Sequence, residues 1–183
     1  MQIIQTNTPI FIYTALNHKE HKDILLNGID LFIKSKDTEL RTNDIGSNTT
    51  VYSDWNYSKG DYLDYFCKHI LPPQIAEVTK NLNLDNWEIH NGWFQQYTEF
   101  SEHSWHIHPN CHYSNVYYLE LPDTDYVTEL LDVNNKPIKL NAKEGDIITF
   151  PSHLLHRSKP NGNKRKTIIS YNSSFSSNDN VVE

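Results

Sequence analysis

The strongest constraint on the fold is a change of hydrophobic period near Trp87. Upstream, apolar residues recur at helical spacing; downstream they alternate in short runs cut by turn signals. Residues 17–36 carry Ile24, Leu25, Ile29, Leu31, Phe32 and Ile33, close to the spacing of an amphipathic helix. A second helix is expected to start near residues 58–61 and to bury Leu63, Phe66, Ile70, Ile75, Val78 and Leu82. Pro72-Pro73 must kink or split it, because proline lacks the amide donor and clashes with the preceding turn. Residues 41–52 are polar, with Gly46, and read as loop or irregular strand. Residues 87–90, 93–97, 104–108, 115–121, 138–140, 146–150 and 166–172 read as strands. Pro109-Asn110, Asn134-Asn135, Glu144-Gly145-Asp146 and Asn161-Gly162-Asn163 mark turns between them. Short strands at this spacing build a sandwich or barrel. The Ser/Asn-rich stretch 173–183 is expected to fray.

No internal repeat or low-complexity linker divides the 183 residues, so one domain is expected over 1–183. Its helical support spans about 1–85 and its β core about 86–175. Sixteen Lys+Arg against 23 Asp+Glu leave a net charge of −7, which disfavours nucleic acid and anionic membranes as general partners. A local basic groove stays compatible with that total. No apolar run is long enough to span a bilayer. Residues 1–11 lack the basic and apolar regions of a secretory signal, which points to the cytoplasm, a host's cytoplasm included. Two cysteines, Cys67 and Cys111, make no disulfide framework and fit a reducing compartment.

Ten histidines are present, and His103, His106, His108 and His112 fall within ten residues. On a strand, period-two alternation puts His106 and His108 on one face, where two nitrogens can take adjacent positions on one metal ion. His156 can supply a third, leaving the opposite positions open for substrate or dioxygen. An HxH pair alone is weak evidence. A surface or core pair is the commoner case, and the later histidine and its surroundings shift the balance. Ten residues beyond His156 begins Lys166-Thr167-Ile168-Ile169-Ser170-Tyr171-Asn172. As a strand it puts Lys166, Ile168, Ser170 and Asn172 on one face, and Thr167, Ile169 and Tyr171 on the other. A lysine inside a β pocket is costly unless an anion pairs with it, and a dicarboxylate is such an anion. A solvent-facing lysine in the basic run Lys164-Arg165-Lys166 is the plainer reading of that residue alone.

Taken in order, His106-Ile107-His108-Pro109, Ser114-Asn115-Val116-Tyr117-Tyr118-Leu119, residues 145–156 and residues 166–172 follow one family pattern. The chain resembles the 2-oxoglutarate/Fe(II)-dependent oxygenases related to prolyl 4-hydroxylases, a group common in phages and marine bacteria. The likeness runs from about Trp93 to Asn172, with a weaker upstream echo at Tyr52-Ser53-Asp54-Trp55. It implies a mainly β fold with N-terminal helices, built on a double-stranded β-helix (jelly-roll, cupin-like) core. It implies Fe(II) held by His106, His108 and His156, and 2-oxoglutarate contacted by Tyr97, Tyr118 and Lys166, with Asn172 lining the same pocket. Three positions depart from the wider pattern: His108 replaces Asp or Glu, Asn115 replaces a glycine, and Lys166 replaces an arginine. Lysine meets a carboxylate as a point charge, without the bidentate fork. Arg165 faces the other side of the strand.

The implied reaction couples oxidative decarboxylation of 2-oxoglutarate, by O2, to hydroxylation of a peptidyl side chain or a small molecule, with release of succinate and CO2. Ascorbate is an optional reductant, and a homodimer is compatible. Two other readings stand beside it. One is a three-histidine, cupin-like dioxygenase that needs no 2-oxoglutarate. The other is a non-catalytic jelly-roll binding or virion-associated module. Among the remaining residues, Asp146 reads as a turn residue opening a strand, His103 and His153 as rim or loop residues, and Trp55, Trp93 and Trp105 as packing. A zinc site of His106, His108, Cys111 and His112 would crowd four ligands into seven residues.

Overall fold

The computed structural model describes residues 8–36, 40–43 and 50–176. Among the described residues eleven strands and three α-helices follow one another as β1 (Phe11–Thr14), α1 (His18–Lys36), β2 (Arg41–Asn43), β3 (Thr50–Ser53), α2 (Asp61–His69), α3 (Leu71–Leu82), β4 (Asn86–Tyr97), β5 (His103–His106), β6 (Tyr113–Glu120), β7 (Glu129–Leu131), β8 (Pro137–Ile138), β9 (Asp146–Pro151), β10 (His156–Ser158) and β11 (Lys166–Ser176). A seven-stranded sheet has the order β1-β9-β6-β11-β4-β3-β2, and a four-stranded sheet has the order β5-β10-β7-β8. Every pairing is antiparallel.

The central strands of the large sheet are buried on both faces, and their alternation divides the core in two. On β6, β9 and β11 one set of side chains, Tyr117, Leu119, Ile147, Ile169 and Tyr171, packs with Leu25, Ile29, Phe66 and Ile75 of the helices. The other set, Val116, Tyr118, Ile148, Phe150 and Ile168, packs with Leu130, Ala142 and Leu154 between the two sheets. Each fully buried side chain of the helical layer contributes about 1.5–3 kcal/mol. The layer therefore braces the large sheet from behind.

Several elements differ from the sequence expectation. The proline pair does split the helix: α2 ends at His69, and α3 starts with Pro72 and Pro73 in its first turn, where a missing amide donor is harmless. In α1 the face is rotated, so Leu26 is buried whereas Ile24 and Leu31 are exposed. Residues 87–90 and 93–97 form one strand, β4, across Asn91-Gly92. A Cβ on Gly92 would lie 3.0 Å from Leu63 Cδ1, so this glycine serves a close helix–sheet approach. The large sheet also takes β1, β2 and β3 from the first half of the chain. The stretch expected to fray begins inside β11, where Ser173 through Ser176 stay paired with β4 and Phe175 packs edge-on to Tyr113. Residues 177–183 lie outside the described residues, as do 1–7 and 44–49.

Candidate metal centre and active-site cleft

The small sheet brings two of the histidines together. β5 and β10 pair with His106 directly opposite His156. Strand alternation was expected to align His108 with them, but β5 ends at His106. Instead the turn beyond β5 folds inward, fixed by the His108 amide donating to Ser152 O at 3.0 Å. Ring centroids lie 4.2 Å apart for His106–His156 and 5.1 Å for both other pairs. One ring nitrogen from each lies within 4.8 Å of the other two.

The hydrogen bonds assign the tautomers. His106 Nδ1 lies 2.7 Å from Ser104 O, His156 Nδ1 2.9 Å from Leu154 O, and His108 Nδ1 2.8 Å from Asn172 Oδ1. A carbonyl oxygen only accepts, so each Nδ1 carries the proton and each Nε2 keeps its lone pair. Burial, reinforced by His106, pushes His108 down to about 4 and His156 down to about 3. Both rings are neutral at pH 7, and no proton competes for their nitrogens. Three imidazoles presenting Nε2 in this way suit Fe(II), Zn(II) or Cu(II) and leave other coordination positions open. Among the described residues no other His, Cys, Asp or Glu cluster converges in this way.

Aromatic rings hold the trio. Trp93 stacks on His108 at 5.7 Å and 18°, His103 stacks on His106 at 4.0 Å, and Phe150 meets His156 edge-on at 4.8 Å. Behind the histidines, between the sheets, is a cavity of about 30 Å³. That is the room of one water molecule, so a dicarboxylate enters only if the lining parts.

Lys166, 2% exposed, does not line this cavity itself but packs against Tyr97 and Ser158, which do. Its Nζ donates to Ser158 Oγ and to Tyr126 O (3.3 Å) and lies 4.2 Å from the centre of the Tyr97 ring, its cross-strand partner. Burial, with Lys159 adding to it, pulls the ammonium down to about 7. Ile168, Ser170 and Asn172 line the cavity from the same face of β11, as alternation required. Arg165 points away and pairs with Glu120 (2.7 Å) and Asp30 (3.1 Å). Tyr118 is one residue removed from the cavity wall. Its hydroxyl is bound to Thr128, donating to Oγ1 and accepting from the amide, both at 3.0 Å. Thr128 lines the cavity in its place.

Sequence reading missed Thr128, Ser158 and the orienting part of Asn172. The two carbonyls that set the His106 and His156 tautomers belong to the backbone and carry no residue signature. Asp146 is structural, accepting from Thr14 Oγ1 (2.7 Å) and the Lys143 amide (2.9 Å). His112 Nδ1 accepts from the Phe175 amide at 3.2 Å, away from the trio. Asn115 donates to Tyr171 O and Ser173 Oγ and accepts from Thr149 Oγ1. It belongs to a buried network on the helical side of the sheet. In front of the histidines opens a cleft of about 680 Å³, walled by Trp55, Trp93, Gln95, His103 and Ile107 among others.

No protein-family model and no curated protein sequence matches the chain. Solved structures do match, and what they share with this chain is the fold: the double-stranded β-helix found in 2-oxoglutarate/Fe(II) oxygenases, in its prolyl 4-hydroxylase-like form. Three of the likenesses illustrate it. The viral collagen prolyl hydroxylase of Paramecium Bursaria Chlorella virus-1, solved with 2-oxoglutarate, matches at 15% identity and TM-score 0.59, over 90% of this chain and 94% of that one. A Pseudomonas putida prolyl-4-hydroxylase matches at 12% and 0.56, over 92% of each chain. A Trichoplax adhaerens prolyl hydroxylase, solved with a peptide fragment of hypoxia inducible factor, matches at 16% and 0.62, over 89% and 82%. No described helix is long and apolar enough to cross a membrane.

Proposed function

We propose that this chain is an Fe(II)- and 2-oxoglutarate-dependent oxygenase that hydroxylates a C–H bond of a substrate held in the open cleft. The observation that carries the reading is the convergence of three imidazoles whose Nδ1 protons are all bound to carbonyl oxygens. His106, His108 and His156 would hold the iron through Nε2. Bound there with 2-oxoglutarate and O2, iron supplies the oxidising chemistry, and the protein supplies geometry and a dry wall. An imidazole ligates as a neutral donor, so the iron site would carry one more positive charge than one with a carboxylate ligand, and the dianionic cosubstrate would bring it to neutrality. Lys166 would take the distal carboxylate, exchanging Ser158 and Tyr126 O for a full charge pair. Tyr97 lies beside that ammonium. Asn172 would hold His108 in its ligating tautomer.

The all-histidine set favours one second reading, a dioxygenase that binds its substrate directly to iron without 2-oxoglutarate. One experiment separates the two. Fe(II) and then 2-oxoglutarate are added anaerobically to the purified protein, and the visible metal-to-ligand charge-transfer band of the chelate is recorded. The expected result is a band in the wild type that is lost in His156→Ala and needs far more 2-oxoglutarate in Lys166→Ala. Iron binding without a band in the wild type supports the second reading. No iron binding leaves the non-catalytic jelly-roll module.

A further inference from the structure

The cleft in front of the histidines has a charge character that narrows what it can receive. Its described wall presents the indoles of Trp55 and Trp93, the side chain of Ile107 and the carboxamides of Asn56, Asn91 and Asn110. Glu102 is its one carboxylate, and no Lys or Arg lines it. The basic side chains gather elsewhere: Lys139, Lys143, Arg157 and Lys159 line a separate groove containing Trp105 and strands β7 and β8. An anionic group entering the cleft away from the metal position would lose its water and meet no lysine or arginine, only the imidazoles of His90 and His103. A cationic or uncharged group would find amides, a carboxylate and an aromatic face.

Trp55 is the best-prepared part of that wall. It remains 43% exposed, yet it packs edge-on against Trp93 at 4.1 Å and lies 6.1 Å from the His108 ring. Its backbone is anchored from several sides. The buried carboxylate of Asp54 accepts from the Phe94 amide (3.0 Å) and the Tyr62 hydroxyl (2.8 Å). Lys59 Nζ donates to Asp54 O and to Trp55 O (3.2 Å), and the Trp55 amide donates to Ser53 Oγ (3.2 Å). An indole left half open but fixed at its root is a preformed platform, with little ordering entropy left to lose on binding. Nearby, the buried Asn91 Oδ1 has no hydrogen-bond partner among the described residues.

We infer that Trp55 is the substrate-reading side chain of the cleft, and that the cleft selects a cationic or carboxamide-bearing group over a carboxylate or phosphate. Asp54 acts as its positioning residue. The inference rests on the cleft being the substrate side of the proposed oxygenase. The chemistry is shared by a basic or amide side chain in a peptide and by the same group on a free small molecule, and the test has an arm for each.

The protein is 15N-labelled at tryptophan and loaded with Zn(II) as a diamagnetic stand-in. Its four indole N–H resonances are assigned with Trp55→Phe and Trp93→Phe. The probes are N-acetyl, N-methylamide derivatives of Lys, Gln and Glu, and three pools of randomised blocked heptapeptides flanked by Lys, Gln or Glu. The Trp55 resonance is expected to move with the Lys and Gln probes at concentrations at least tenfold below those the Glu probes need. The peptide pools doing this and the single residues not doing it assigns a peptide substrate; the reverse assigns a small molecule. Trp55→Ala raises the half-saturation by about tenfold, read on the Trp93 resonance. Asp54→Ala shifts the unliganded Trp55 resonance, and Asp54→Asn restores it. Equal or tighter binding of the Glu probes, shifts confined to Trp105, or no shift with any probe overturns the inference. The readout needs no turnover. An inactive protein with a selective cleft refutes the oxygenase reading alone, and succinate formation with an unselective cleft refutes this inference alone.

Discussion

Lys166→Met is expected to make the metal-free protein more stable while removing its response to 2-oxoglutarate. The lysine is 2% exposed, and burial holds its ammonium at about 7, against an ordinary value of 10.5. Each unit of difference corresponds to about 1.4 kcal/mol. Between pH 7 and 10.5 the unfolded chain therefore binds a proton at this position that the folded chain does not. Folded stability rises with pH across that window, by up to about 1.4 kcal/mol per unit, and the full cost of the charge is felt below pH 7. At pH 7, where the folded lysine is half neutral, the cost is at most about 4 kcal/mol. Methionine keeps the unbranched chain and drops the charge. Urea unfolding of both proteins at pH 7 and pH 9.5 provides the measurement, and the difference between them cancels every other titrating group. The wild type should fall short of the variant at pH 7 and close most of the gap by pH 9.5. A variant that is less stable at pH 7, or a gap that does not narrow with pH, would refute the reasoning.

Three further outcomes follow from the same geometry. The apparent affinity for 2-oxoglutarate should fall as pH rises above about 7, by up to tenfold per unit, because the empty pocket then holds a neutral lysine; titrating the chelate band from pH 6.5 to 9 measures this, and rising affinity would count against Lys166 as the anchor. Asn172→Ala should weaken metal binding 10–100-fold by freeing the His108 Nδ1 proton, whereas Asn172→Asp keeps an acceptor and most of the affinity; competition with a chelator for Co(II) reads both. Gln74→Ala should cost about 2–4 kcal/mol, since the buried glutamine accepts from the Tyr171 hydroxyl and donates to Thr149 Oγ1, both at 2.9 Å; a loss below 1 kcal/mol in denaturant unfolding would mean that the network rearranges.

Much of the architecture could be read from local pattern, because local rules governed it. The helix split at Pro72-Pro73 and the two-faced alternation of β11 follow from period and side-chain chemistry, whereas Lys166, taken alone, read as solvent-facing and is buried. What escaped was decided at long range. β1 is four residues that gain strand character only by pairing with β9, over 130 positions later. β7 and β10 are three residues each, too short for any period to register. Asn91-Gly92 has the composition of a turn, yet packing against Leu63 keeps it inside a strand. The histidines could be picked out as a set, although His108 reaches it through a folded turn rather than strand alternation. Thr128 and Ser158 are ordinary hydroxyl residues, and only the positions of Tyr118 and Lys166 in space make them part of the site.

β10 also acts as a ruler. Its two buried residues, His156 and Ser158, sit one strand repeat apart, about 6.6 Å at the rise of an extended chain. The first is a corner of the histidine trio and the second carries the hydroxyl on which the Lys166 ammonium rests. In the proposed oxygenase, the span from iron to the carboxylate anchor would thereby be graduated in covalent bond lengths rather than set by a loop. A diacid one carbon shorter or longer than 2-oxoglutarate would meet a fixed scale, and would have to leave one end of it unread.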